Sequence, residues 1–175
     1  MSLWKGNITQ LKVDCIVNAA NEKLQGGGGV DGAIHKAAGP QLKLACQQYA
    51  PCATGDAIIT AGFHLPAQYV IHTVGPKNKD KSKLAKCYEH SLQIAKLQAN
   101  ITSVAFPCIS TGIYGYPNID AAHVALSVTR NWLESKQNLA TIDRIIFCTL
   151  QNLDYSIYQK LMANIYFPCK VAPNM

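Results

Sequence analysis

The chain has 175 residues, 49% of them apolar and 15% charged, with a formal net charge of +6. That length suits one domain around one core, and the composition excludes an intrinsically disordered chain. No stretch approaches the roughly 20 uncharged apolar residues of a membrane-spanning helix, and Met1 to Gly6 lack the apolar run of a secretory signal, so a soluble, cytoplasmic monomer with no membrane partner is expected.

Several short apolar runs rich in β-branched residues predict buried strands at 14–20, 56–62, 69–75, 103–109 and 144–150. Helical spacing predicts helices at 30–38, 82–99, 120–135 and about 154–166, with Gly39-Pro40 reading as a stop after the first. Residues 76–83 read as the flexible loop. Strands alternating with helices predict a single three-layer α/β/α domain with a mixed, largely parallel central sheet. Seven cysteines (Cys15, Cys46, Cys52, Cys87, Cys108, Cys148 and Cys169) form no C-x-x-C pair. Their odd number argues for free thiols in a reducing compartment. His35 and His72 read as packing histidines, and His64, His90 and His123 have no partners at metal spacing. No metal and no cofactor are expected.

Two loops carry the unusual chemistry. In such a sheet, ligands settle beyond the carboxyl ends of the strands. The first loop runs from Asn18-Ala19-Ala20-Asn21 through Gly26-Gly27-Gly28-Gly29-Val30-Asp31-Gly32 and opens a helix. Four consecutive glycines cost backbone entropy, and the helix start offers free N–H groups and a positive dipole end that suit phosphate. The second loop, Pro107 to Pro117, contains Ser110-Thr111-Gly112-Ile113-Tyr114. Together the loops suit the two halves of a diphosphate. Neither carries the glycine pattern of nucleotide triphosphatases or dinucleotide folds, which argues against a nicotinamide-dependent oxidoreductase. Ser110 has no base nearby in sequence and stands in no G-x-S-x-G turn. Cys108, at an apolar strand end, reads as a buried thiol.

With Gly6-Asn7-Ile8-Thr9, Val13 to Asn21, Gly26 to Pro40, Tyr69 to Pro76 and Ile109 to Pro117, the sequence resembles the macrodomain family, and within it the MacroD-type ADP-ribosyl hydrolases. The likeness runs from about residue 6 to 167. It implies that Asn7 and Ile8 sit beside the adenine. By the same likeness, Asn18, Gly28, Gly29 and Val30 contact the substrate from the first loop, and Ser110, Thr111, Gly112, Ile113 and Tyr114 from the second. Asn21 and Asp31 would form the catalytic pair. An ionised Asp31 can hold a water and offset positive charge developing on the sugar, while Asn21 can orient a ribose hydroxyl. The implied partners are ADP-ribose and mono-ADP-ribosylated proteins, and the implied activity extends to deacetylating O-acetyl-ADP-ribose. The alternative reading is a non-catalytic ADP-ribose or RNA/polyanion-binding module, with modest support from the net charge of +6; Lys77, Lys79, Lys81, Lys83 and Lys86 read first as a solvated loop and helix start, and no interleaved aromatics mark a nucleic-acid site.

Two positions depart from the family pattern. Asn7 replaces the usual aspartate, and Leu150 stands where an aromatic platform is common, with Tyr155 as a candidate substitute. A hydrogen bond to a charged partner contributes about 1.5–3 kcal/mol and a neutral one about 0.5–1.5, so weaker adenine recognition is expected.

Overall fold

The computed structural model describes residues 1–138 and 141–168, so Cys169 lies outside the described residues. Six strands form one sheet: β1 (Ser2–Lys5), β2 (Cys15–Ala20), β3 (Ala57–Ala61), β4 (Tyr69–Val74), β5 (Ser103–Phe106) and β6 (Arg144–Thr149). Their order is β1-β6-β5-β2-β4-β3, and only β3 runs antiparallel, at an edge. The helices are α1 (Gly29–Ala38), α2 (Pro40–Gln47), α3 (Lys81–Leu97), α4 (Asn118–Glu134) and α5 (Asn152–Leu161), the last followed by a π turn over Met162–Tyr166.

The strand period of two divides the buried side chains between the layers. Cys15 and Val17 of β2 join the core beneath α3, α4 and α5, where Tyr88, Phe106, Phe147 and Tyr158 pack in a row. Ile16 and Ala20 join the core beneath α1 and α2, with Ile34, Leu42 and Val70. The result is three layers, α/β/α.

Three features differ from the sequence reading. The residues before Gly6 pair with β6 as β1; Ser2 to Lys5 contain no β-branched residue, so their strand character comes from the neighbour. Gly39-Pro40 ends α1 but also starts α2. Gly39 has φ 85°, which turns the chain out of α1, and Pro40 occupies the first turn of α2, where its missing N–H costs nothing. The lysine-rich segment begins as a loop but becomes α3 at Lys81, where Asp80 accepts from the Lys83 N–H at 3.0 Å.

Candidate functional site

Strands β1, β2, β4, β5 and β6 all point their carboxyl ends to one edge of the sheet, and a cleft of about 570 Å³ opens there. The loops after β2 and β5 form its two lips. No side chain caps α1, so its first N–H groups are free toward the cleft. In the second loop, Tyr116 N–H donates to Ser110 C=O at 2.9 Å and Gly115 N–H to Gly112 C=O at 3.0 Å. These bonds curl the loop and leave the N–H groups of Thr111 to Tyr114 without a protein acceptor among the described residues. Ser110 adopts a left-handed φ of 66°, a conformation that costs energy and that surrounding structure must impose. Gly75 permits it: a Cβ at Gly75 would lie 2.1 Å from Ser110 Oγ.

Asp31 lies at the floor, 4% exposed. Its Oδ1 accepts from Asn18 Nδ2 at 2.8 Å and its Oδ2 from Asn21 Nδ2 at 3.2 Å, while a second bond ties Asn21 Nδ2 to Gly26 C=O at 3.0 Å. Burial raises the Asp31 pKa above its ordinary value; the Asn18 bond, the nearby His35 and the Asn21 bond pull it partway back. His35 Nε2 stands 3.5 Å from Asp31 Oδ1, and burial lowers the His35 pKa. Asp31 thus lines the cleft with each carboxylate oxygen held by an asparagine amide.

Asn18 sits below this surface. It is fully buried, does not line the cleft, and its amide bridges Asp31 and His72 Nδ1, the latter at 3.1 Å. The placement corrects its expected role as a direct ligand contact: Asn18 is a β2 residue in register with His72 of β4, both turned toward α1 and α2. The tautomer follows from the bonding. Thr60 Oγ1 donates to Ala61 C=O at 3.1 Å, so at 3.0 Å it accepts from His72 Nε2–H, leaving Nδ1 as the acceptor for Asn18. Burial lowers the His72 pKa to about 3, so the ring is neutral near neutral pH. His35, Cys46 and His72 bring ligand atoms within 4.8 Å of one another. With both His72 nitrogens bonded, the trio reads as a polar plug beneath Asp31. Isolated in the strand Tyr-Val-Ile-His-Thr-Val, His72 was the available sequence signal for this layer.

The remaining expected contacts, Asn7, Ile8, Gly28, Gly29, Val30, Thr111, Gly112, Ile113, Tyr114 and Leu150, all line the cleft with Asn21, Asp31 and Ser110. Gly27, within the glycine run, and Gly75 line it too, though the sequence assigns neither a contact. A Cβ at Gly27 would stand 3.2 Å from Asp31 Oδ2 and 3.3 Å from Asn21 Nδ2, so only hydrogen leaves that space open. At the far end, Asn7 Oδ1 accepts from Thr9 N–H at 3.1 Å and Thr9 Oγ1 at 2.9 Å. The amide oxygen is consumed in starting the short turn Ile8–Gln10, which leaves only the NH₂ unengaged. Leu150 is an exposed aliphatic wall, and Tyr155 does not line the cleft. Cys108 does line it, but burial drives its thiol pKa far up, which removes nucleophilic character.

The Macro domain family model matches residues 17–125. The chain is 53% identical over 174 residues to "ADP-ribose glycohydrolase MACROD2" of Mus musculus, an alignment covering 96% of this chain and 36% of that protein. It is 49% identical over 164 residues to the Macro domain-containing protein CT2219 of Chlorobaculum tepidum, covering 91% and 93%. The chain therefore spans about a third of the mouse relative and nearly all of the bacterial one. A crystal structure of a Trypanosoma brucei macrodomain in complex with ADP-ribose superposes with a TM-score of 0.88 at 44% identity, covering 91% of this chain and 68% of that one. By its site architecture, its sequence and its fold alike, this chain belongs to the Macro domain family.

Proposed function

We propose that the cleft binds ADP-ribose and that the chain hydrolyses mono-ADP-ribose esters on acidic side chains of proteins, with O-acetyl-ADP-ribose as a second ester substrate. The observation that carries this reading is the buried Asp31 carboxylate, fixed by Asn18 and Asn21 beside two lips of free N–H groups. The lips suit a diphosphate. Asn21 orients the distal ribose, and Asp31 holds a water against its anomeric carbon. The water oxygen bonds to that carbon, the bond to the side-chain carboxylate breaks, and the leaving group departs as a carboxylate. The water's proton goes to Asp31 or to a substrate phosphate oxygen. Developing positive charge on the sugar is offset by the Asp31 carboxylate, itself largely buried. The relatives named for ADP-ribose glycohydrolase activity and the ADP-ribose-bound neighbour support the same substrate.

The test is release of ADP-ribose from an auto-mono-ADP-ribosylated protein by the unmutated chain, Asp31→Ala and Asn21→Ala. Loss of release with ADP-ribose binding retained is expected for both variants. Binding without turnover by the unmutated chain would leave a reader module, and equal release by Asp31→Ala would remove the carboxylate from the chemistry.

A further inference from the structure

A lysine patch borders the Asp31 end of the cleft. Lys77 follows Gly75 and Pro76 out of β4, and its Nζ lies over the Tyr114 ring, 5.2 Å from the centroid. Tyr114 lines the cleft together with Asp31, and its neighbour Ile113 reaches across to Gly28, where a Cβ would lie 2.7 Å from Ile113 Cδ1, which sets this lip beside the loop that carries Asp31. Lys79, Lys81, Lys83 and Lys86 continue the positive field onto α3, and all five lysines are exposed. Among the described residues none of the five is ion-paired with a carboxylate. The opposing acid, Glu22, takes a hydrogen bond from Thr54 Oγ1 at 3.0 Å.

We infer that Lys77 and Lys79 form a docking surface for acidic residues flanking the modified side chain, so that the protein substrate class is an acid-rich segment. This rests on the proposed ester hydrolysis. In that reaction the protein leaves the cleft from the sugar end, next to Asp31, which is where Lys77 stands. The surface favours a protein over a nucleic acid for two reasons. No aromatic residue is interleaved among the lysines for base stacking, and the nearby Tyr114 face is already covered by Lys77. Each exposed ion pair is weak, so the patch acts through several pairs at once and through faster encounter.

The experiment measures kcat/KM on peptides bearing one ester-linked ADP-ribose, flanked by acidic or by neutral residues, with O-acetyl-ADP-ribose as a small ester. The unmutated chain is expected to prefer acidic flanks by about tenfold at low salt, a preference that fades near 1 M salt, where the screening length is about 3 Å. Lys77→Glu/Lys79→Glu should abolish or reverse the preference, and Lys77→Gln/Lys79→Gln should reduce it. Rates on the small ester should stay within about twofold in both variants. Flank-independent rates in the unmutated chain would overturn the inference. So would an equal loss on the small ester, which would place Lys77 in nucleotide binding. Single-stranded RNA that competes as well as the acidic peptide, and loses in the same variants, would make the patch a nucleic-acid surface instead. Should no ester be turned over, the proposed hydrolysis falls, and anisotropy of the uncleaved peptides then decides the flank preference separately.

Discussion

The two ends of the cleft are built by opposite means. Beneath Asp31, hydrogen bonds run in series from Ala61 C=O through Thr60, His72 and Asn18 to the carboxylate, and the Thr60, His72, Asn18 and Asp31 side chains are buried. At the other end, Asn7 is exposed and spends its oxygen on its own turn, and the exposed, aliphatic Leu150 lines the same cleft. Buried hydrogen bonds in a low dielectric fix geometry, whereas an exposed amide and an aliphatic wall grip a flat base loosely. Under the proposed function, this contrast gives a precise reacting end and a relaxed base-binding end.

The strongest way to break that contrast is to cut the series at Asn18. Asn18→Ala removes a donor from Asp31 and unpairs His72 together, and misplacing a reacting group by about 1 Å costs roughly 100-fold. We expect single-turnover hydrolysis to fall by about that factor while ADP-ribose affinity, read by calorimetry, changes little. A matching loss of affinity would mean that Asn18 serves binding.

The pH profile comes next in size. Burial raises the Asp31 pKa, so its ionised form is lost on acidification sooner than an ordinary carboxylate's. The acid limb of the rate should therefore lie above the ordinary carboxylate range. An acid limb at the ordinary value would show Asp31 to be solvated.

His72 supplies a stability signature. Its pKa is about 3 in the fold, against about 6.5 unfolded, so between those values the unfolded chain binds a proton the fold does not. Stability from this group is present above pH 6.5 and falls as pH drops through the window, by up to about 1.4 kcal/mol per pH unit. Denaturant titrations of His72→Gln should lack that component, and an unchanged slope would place the His72 proton elsewhere.

The smallest effect belongs to the base end. Asn7→Asp restores an oxygen that the Thr9 bonds do not consume, so adenine nucleotides should bind about fivefold more tightly, roughly 1 kcal/mol. Ribose phosphate, which has no base, should bind unchanged. An undiminished preference for adenine in the unmutated chain would mean that Asn7 does not limit base recognition.

Much of the architecture was legible because its signals are local. The apolar runs gave five strands, with the end one residue too long at β3 and three at β5, and the glycine run marked one lip of the cleft. The rest depended on distant partners. Ser2 to Lys5 form a strand only because β6 lies alongside, and Gly39-Pro40 reads equally as a stop or as a bend between two helices. Asn18 and Asn21 stand three residues apart in one motif, and nothing in the motif assigns one to the cleft and the other to the layer below. The register of β2 against β4 decides it by setting Asn18 opposite His72.

The central claim is that Asp31 presents water to the sugar carbon of a held diphosphate sugar. Hydrolysis of a glutamate-linked ADP-ribosyl peptide in ¹⁸O-water, read by mass spectrometry within one turnover, tests it directly. The account predicts the heavy oxygen in the released ADP-ribose and none in the peptide. Label in the peptide carboxylate would place the attack on the ester carbonyl and contradict it.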